Sequence, residues 1–403
     1  MKKTAMTLAL ASTCAMSTQA GTVITDGPDI ILKTKGGLEA RTSDGRYSFK
    51  VGGRIQLDYN DYDGVINKAV DSDGSDIWFR RARLELSGHY DDWSYLMSYN
   101  LTEDGSIDQL NFGYGGWGDL ANLTFGQQKE DFGLEDTGSS KWTTAIERSL
   151  PANAFDTGNN VGIKLSGSNN LLTYSLGVFK QDVDGQNDLD TATTGRFVIR
   201  PLNNESGLLH LGVGYTQRDS DNGFDSIESR LGVRGGENKT ATKVSAGYLG
   251  GLADEMTAMN IELAASFGPV HVMAEYFDGE LSGVGATPDL EADGYYAQVG
   301  WIVTGERRSY KNVIAAFDKI KPAGSGGAWE VFARYDELDF SDNEGEPLIK
   351  LAGTTGNTLT VGANWYVNEV VKASLNYVKA DVDEAIKGED DGSAIVARLQ
   401  FAF

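Results

Sequence analysis

The stretch SAIVARLQFAF, residues 393–403, alternates between two kinds of side chain along an extended chain. One face would carry Ile395, Ala397, Leu399, Phe401 and Phe403, and the other Val396, Arg398, Gln400 and Ala402. Since successive side chains of a strand point to opposite sides of the sheet, this pattern predicts one apolar and one largely polar face. The stretch before it repeats the pattern, with Val371, Ala373, Leu375 and Tyr377 opposite Lys372, Ser374 and Asn376.

Similar alternating stretches fill most of the chain. We find them at 47–58, 76–90, 92–102, 106–114, 120–128, 159–167, 171–181, 194–200, 207–218, 241–249, 257–267, 269–279, 293–304, 328–337, 357–367, 369–380 and 393–403. Strands of about 10 residues that alternate in this way are typical of transmembrane barrels, whose strand number in single bacterial chains is even. We therefore expect sixteen strands, with one of these stretches outside the barrel.

The connections between the stretches are of two kinds. Short turns, such as 90–92, 268–269 and 367–369, alternate with long acidic stretches at 60–75, 219–240, 279–291 and 381–392. Short turns on one rim and long loops on the other are typical of outer-membrane barrels. A soluble β-sandwich shares the alternation but does not need this asymmetry. The predicted fold is all-β, a transmembrane antiparallel barrel over residues 47–403, preceded by a periplasmic segment over 21–46.

Residues 1–20, MKKTAMTLALASTCAMSTQA, have the layout of a cleavable secretory signal. The single cysteine, Cys14, lies inside it, so we expect no disulfide in the mature chain. No apolar run after residue 20 approaches the roughly 18 residues of a transmembrane helix.

Acidic side chains dominate the composition. Without Lys2 and Lys3, 33 basic side chains stand against 58 acidic ones, a net charge of −25. Nucleic-acid binding needs a basic surface, so this class of partner is not expected. Acidic loops favour solubility of the exposed rim, and divalent cations shared with lipopolysaccharide are an alternative role. The acidic run 71–76 lacks full EF-hand spacing, so we predict no metal site and no cofactor.

Residues 129–160 break the alternation over a length far beyond a hairpin loop. Trp142, Ile146, Leu150 and Phe155 are interspersed there with polar groups, a mixture suited to packing against an inner wall. We predict that this segment folds into the barrel as a constriction loop. An additional outer loop is the alternative.

Three arginines lie close together in the stretch 76–90. Arg81 and Arg83 share one face, whereas Arg80 lies with Trp78 and Ala82 on the other. An arginine facing lipid at mid-bilayer costs roughly 2 to 4 kcal/mol. If Arg80 and Arg81 both reach the lumen, an irregularity such as a bulge is needed; otherwise Arg80 lies at the membrane interface.

Several segments carry a resemblance. GTVITDGPDIILKTKGGLEA, FRRARLE, DFGLEDTGSSKWTTAIERSL, RLGVRG, GYYAQVGWIVTGE and GANWYVNEVVKASLNYVKA are similar to the phosphate-selective porin O and P family. The similarity spans nearly all of the predicted mature chain. It implies a sixteen-stranded, homotrimeric anion channel in the outer membrane of a Gram-negative cell, with a site for phosphate, pyrophosphate or polyphosphate at its constriction.

The resemblance also implies roles for individual residues. The anion site would be formed by Arg80, Arg81, Asp108, Ser139, Ser140, Lys141 and Arg148, with Arg230 and Arg234 remaining from an arginine ladder on the approach. Vestibule lysines would be Lys33, Lys35, Lys50 and, less directly matched, Lys321. Arginine offers a planar fork that matches two phosphate oxygens. Asp108 can accept a hydrogen from a protonated phosphate and weaken binding enough for release.

The chain departs from the family pattern at several positions. Ser226 and Glu228 stand where positive charge is expected in the ladder, and Asp136 replaces an expected loop lysine. Arg83 and Lys129 stand where the family has tyrosines and would add charge at the constriction. These changes move positive charge from the approach toward the narrowest point. We therefore expect a preference for larger or more charged phosphates, such as pyrophosphate.

Two other classes of protein compete with this interpretation. A general diffusion porin with weak selectivity would use the same arginines only as a transverse field. A barrel enzyme would need a nucleophile and base, but His89, His210 and His271 lie beside no recognisable catalytic motif. The sequence therefore predicts a passive channel and no enzyme.

Overall fold

A computed structural model describes residues 22–23, 27–34, 37–66, 74–102, 105–180, 190–235, 243–250, 253–383 and 390–403. The predicted signal peptide and Lys35 lie outside these ranges. No helix in the described part of the chain has the length and apolar character needed to cross a membrane.

Sixteen antiparallel strands form a closed barrel, as predicted. They are β1 Tyr47–Gly64, β2 Gly74–Tyr90, β3 Trp93–Asn100, β4 Ser106–Tyr114, β5 Asn122–Lys129, β6 Asn159–Ser168, β7 Leu172–Lys180, β8 Thr191–Asn204, β9 Gly207–Phe224, β10 Ala253–Phe267, β11 Val270–Gly283, β12 Leu290–Ile302, β13 Ala328–Asp339, β14 Thr355–Tyr366, β15 Val371–Asp383 and β16 Asp391–Ala402. Each pairs with the next, and β16 pairs with β1 from Ala402 opposite Arg54 to Gly392 opposite Gly64.

The stretch outside the barrel is 241–249. Its described part, Lys243–Tyr248, pairs with Ser226–Arg230 and Ile349–Ala352 in a separate three-stranded sheet. The alternation was correct there, but it carries no information about which strand will be the partner.

The two faces of the barrel strands follow the predicted alternation. On β16, Ile395 and Leu399 are 48% and 56% exposed on the outer surface, whereas Val396 and Gln400 on the inner face are each 2% exposed. The outer surface is therefore apolar, and the polar side chains of the strands line the interior.

The N-terminal segment covers the free edge of β1. Strand Leu38–Thr42 pairs with the start of β1, between Ser48 and Val51, and strand Ile30–Lys33 pairs with Leu38–Thr42 in turn. Phe403 completes the seam, since its N–H donates to Gly53 O at 3.1 Å and its carbonyl accepts from Gly53 N at 2.9 Å. Unpaired backbone groups along an edge can pair with another chain. Here the strand Leu38–Thr42 and Phe403 bond to these groups of β1.

The connection between β5 and β6, residues 130–158, lies inside the barrel and contains the short helices α1 Leu134–Thr137 and α2 Leu150–Ala154. The carboxylate of Glu275 on β11 accepts from the N–H groups of Leu134 and Glu135 at 2.6 and 2.9 Å. Asp336 on β13 accepts from Leu150 N at 3.0 Å. These bonds satisfy the free donors at both helix starts and fix the loop to the wall.

A second insertion enters the interior from the opposite rim. The connection between β12 and β13, residues 303–327, is an exception to the short turns on its rim, and sequence reasoning did not predict its inward course. Its Phe317 packs with Leu134 of the loop in a buried cluster that also contains Leu208, Met273 and Tyr296. Arg308 donates to Trp142 O and to the Thr144 hydroxyl of the loop.

The two insertions cover much of the inner wall, since the loop bonds to β1 and β16 and the second insertion bonds to β7 and β8. The inward side chains of Arg334 and Arg398, on β13 and β16, are 1% and 5% exposed, whereas those of Arg83 and Lys129, on β2 and β5, are 20% and 24% exposed. The accessible route, which we call the passage, therefore runs between the loop 130–158 and the inner faces of β2–β6.

Candidate anion pathway

Two bulges direct charged side chains into the passage. On β2, Arg81 lies opposite Gln56 and Phe79 opposite Leu57, so Arg80 is one extra residue. The predicted irregularity is thus present, and Arg80 and Arg81 both point inward. A second bulge on β4 leaves Asp108 as the extra residue, between Gln109 and Ile107. Such bulges re-aim side chains and are common beside functional sites.

Glu147 of the loop lies among the arginines. Its carboxylate accepts from Arg80 Nε at 3.1 Å and from Arg398 Nη2 at 3.0 Å. Arg398 also forms a two-bond pair with Asp58, at 2.7 Å for each bond. Burial alone would raise the pKa of Glu147, but the guanidinium groups of Arg80 and Arg398 hold it well below the usual range. Glu147 is therefore ionised at neutral pH.

Arg81 is bound differently from Arg80. Its Nη1 donates to Gln56 Oε1 at 3.1 Å, and it makes no ion pair with any described residue. Gln56 in turn donates to Ser140 O at 3.1 Å and to Gln400 at 2.6 Å. The guanidinium is therefore positioned by a neutral group and has no carboxylate partner among the described residues.

Arg83 and Asp108 form an ion pair across the passage wall, with Nη1 and Oδ2 2.6 Å apart. Asp108 also accepts from Ser98 Oγ at 3.2 Å and Asn159 Nδ2 at 3.2 Å. Asp108, the predicted wall carboxylate, is thus already paired with Arg83, the predicted additional arginine.

The Ser-Ser-Lys segment faces β1 and β2. Ser140 Oγ accepts from Arg54 Nη1 at 2.5 Å, and Lys141 Nζ lies 3.0 Å from Glu85 Oε2, while Arg54 pairs with the same carboxylate at 2.9 Å. Ser139 Oγ accepts from Lys141 N at 3.4 Å. Burial lowers the pKa of Lys141, and Glu85 acts in the opposite direction.

Asp136 brings two of the predicted cations together. Its Oδ1 lies 3.1 Å from Lys129 Nζ and 2.5 Å from Arg148 Nη1, and Asp156 pairs with Arg148 on the other side at 3.1 Å. The departure from the family pattern at Asp136 therefore neutralises charge locally instead of adding it.

Arg230 and Arg234 line a cavity of about 250 Å³ that also contains Glu147, Glu228 and Lys243. Neither arginine forms an ion pair within the described residues. Asn60 Nδ2 donates to Arg234 O at 2.8 Å and fixes the backbone. Burial, followed by the nearby guanidinium of Arg80, lowers the pKa of Arg234 to about 10. This value leaves it charged at neutral pH.

Most of the predicted vestibule lysines lie apart from these groups. Lys33 pairs with Glu39 at 3.4 Å in the N-terminal segment, while Lys50 and Lys321 are exposed. Sequence reasoning missed the carboxylates Glu85 and Glu147. Glu85 could have been found, because it lies on the same face of β2 as Arg81 and Arg83. Nothing in the neighbouring sequence indicates where Glu147 lies.

A closed barrel of sixteen strands with an apolar outer surface, a polar interior and a loop folded inside defines an outer-membrane porin. The family profile described as "Phosphate-selective porin O and P" matches residues 49–403. A curated relative, Porin O of Pseudomonas aeruginosa, is 38% identical over 98% of this chain and 97% of its own length. The chain belongs to the phosphate-selective porin O and P family, and its place is the outer membrane.

Solved structures show the same fold at low sequence identity. An anion-selective porin from Comamonas acidovorans is 12% identical, with a TM-score of 0.59 over 89% of this chain and all of that one. The outer-membrane protein OmpT of Vibrio cholerae, in its trimer form, is 10% identical, with a TM-score of 0.56 over 89% of this chain and 99% of that one.

Proposed function

We propose that this porin passes phosphate, pyrophosphate or short polyphosphate through an arginine-lined passage, without catalysis. The observation that carries the proposal concerns Arg81 and Arg234, which both lie near Arg80. Neither has a carboxylate partner among the described residues. A guanidinium without a carboxylate partner offers two parallel donors to an oxyanion.

Three groups of polar side chains support the proposal. Arg230 and Arg234 line the cavity beside the separate three-stranded sheet, Arg80 and Arg81 lie at the bulge of β2, and Ser139, Ser140 and Lys141 lie against β1 and β2. Rings of basic groups at a narrow point favour anions, whatever the charge on distant loops. The net charge of −23 for the full chain therefore does not oppose the proposal.

We propose that the assembled form is a homotrimer surrounded by outer-membrane lipid and lipopolysaccharide. The OmpT structure was solved as a trimer, and the apolar outer surface of this barrel requires a membrane environment.

Block of chloride current by phosphate tests the proposal. In planar bilayers, inorganic phosphate should block chloride conductance through the purified porin at low concentration. Arg81→Ala with Lys141→Ala should raise the half-blocking concentration at least about tenfold, since two charged contacts are lost. Equal block in the double variant, or potassium preferred over chloride by the unaltered channel, would refute the proposal. Repeating the titration with pyrophosphate determines which of the two anions is preferred.

A general diffusion porin with weak selectivity is the second candidate. The observation that favours it is the pairing of Arg83, Lys129, Lys141 and Arg148 with carboxylates. For this candidate, phosphate at low concentration leaves the chloride current unchanged.

A further inference from the structure

Glu147 lies among the arginines of the proposed anion pathway and bonds to Arg80 and Arg398. It comes from the loop, not from the wall, and it reaches the bulge where Arg80 is the extra residue. Both carboxylate oxygens are used, since Oε2 accepts from Arg80 Nη2 at 3.3 Å in addition to the bond between Oε1 and Nε. This is the two-bond fork that a guanidinium also makes with phosphate.

The two arginines bonded to Glu147 differ in whether they have another carboxylate partner. Arg398 would keep its two bonds to Asp58, whereas Arg80 forms no other ion pair within the described residues. Removal of the carboxylate would thus add Arg80 to Arg81, Arg230 and Arg234 as a fourth guanidinium without an ion-pair partner among the described residues. Glu147 and Arg234 line the same cavity, so this group of cations is continuous with the approach.

We propose that Glu147 is a tethered competitor for the anion site, a carboxylate that a permeating phosphate must displace from Arg80. This inference rests on the proposed function and adds the residue that limits affinity. Its physical role would be release: a site made only of arginines would hold a multivalent anion too long for conduction, and an internal anion returns to the site as the phosphate leaves.

The experiment compares phosphate block of chloride current in the unaltered porin, in Glu147→Gln and in Asp131→Asn. Gln preserves the shape of the side chain and removes its charge. Asp131 pairs with Lys164 at 3.0 Å inside the barrel, so its replacement removes one negative charge from the interior away from Arg80. Asp131→Asn is therefore the matched control for a general change in the electrostatic potential of the barrel interior.

Glu147→Gln should lower the half-blocking phosphate concentration at least about tenfold, because a charge at contact distance is only partly screened there. Each blocking event should also last longer. Asp131→Asn, which frees Lys164 on β6, should lower the half-blocking concentration by a clearly smaller factor, about threefold at most. Unchanged or weaker block in Glu147→Gln, or an equal shift in Asp131→Asn, would overturn the inference.

The two proposals fail in different ways. Absence of phosphate block in the unaltered porin counts against the proposed function, whereas normal block there with no effect of Glu147→Gln counts only against the competitor role. If Glu147→Gln yields no folded barrel, Glu147→Asp is measured instead. Its carboxylate is one methylene further from Arg80, so block should tighten by a smaller factor, and unchanged block contradicts the inference.

Discussion

Arg80 and Arg81 are consecutive in the chain, and both side chains enter the interior because β2 has one extra residue opposite Gln56 and Leu57. Deletion of Arg80 should therefore leave the rest of the strand in register, and the barrel should fold. Deletion of Arg83, in the regular part of the ladder, should shift the pairing by one residue and reverse the two faces. The folded fraction is measured from the heat-modifiable mobility of the barrel in gel electrophoresis. Equal loss of folding in both deletions would contradict this reading of the bulge.

Asp108 holds Arg83 at 2.6 Å, so Asp108→Asn should release the charge of Arg83 into the passage. The half-blocking phosphate concentration should fall by about threefold to tenfold, as expected for a partly screened neighbouring charge. Asp44→Asn, on an exposed turn outside the barrel, is the control and should have no effect. Weaker block in Asp108→Asn would instead indicate that Asp108 accepts a hydrogen from phosphate itself.

Titration of Lys141 should make the chloride selectivity of the channel fall as the pH rises. Because burial lowers its pKa, Lys141 loses its proton at a lower pH than an ordinary lysine, whose pKa is about 10.4. Chloride selectivity, measured from reversal potentials in a salt gradient, should therefore decrease as the pH rises toward that value. Lys141→Arg should make this decrease smaller, since an arginine normally titrates well above a lysine, and the remainder comes from Arg234, whose pKa is about 10. A decrease of the same size in Lys141→Arg would assign the titration to another group.

Arg308 joins the two insertions inside the barrel. Arg308→Met should remove its bonds to Trp142 O and Thr144, at a cost of about 3 kcal/mol in the free energy of unfolding. The constriction loop should then fluctuate more, which appears as open-channel current noise. Arg307→Met is the control, because the half-buried Arg307 bonds to Asn204 O and Glu205 O and, among the described residues, to no group of the loop 130–158. Equal noise in the two variants would exclude a role of Arg308 in holding the loop.

Period-two alternation predicted the two faces of the strands, because the faces depend on neighbours in the chain. The barrel and its sixteen strands were predicted by adding the asymmetry of the loops and the even strand number of such barrels. Which strand pairs with Lys243–Tyr248 depends on distant segments, so that stretch was one strand too many. The positions of the cations could be anticipated in part, since Arg81 and Arg83 share an inward period.

The counter-charges could not be anticipated from the sequence. Glu147 lies 67 residues from Arg80 and 251 residues from Arg398, and only the fold of the loop brings the three together. For the same reason, Asp136 could be recognised as a departure from the family pattern, whereas its bonds to Lys129 and Arg148 could not.

The bonds of Arg308 to the loop 130–158 connect two insertions that enter the barrel from opposite rims. A hollow tube deforms most easily by flattening, and a contact between two insertions inside it opposes that deformation. Under the proposed function, anions cross away from the barrel axis, along the wall formed by β2–β6. Substitutions on the far wall should therefore change stiffness more than permeation.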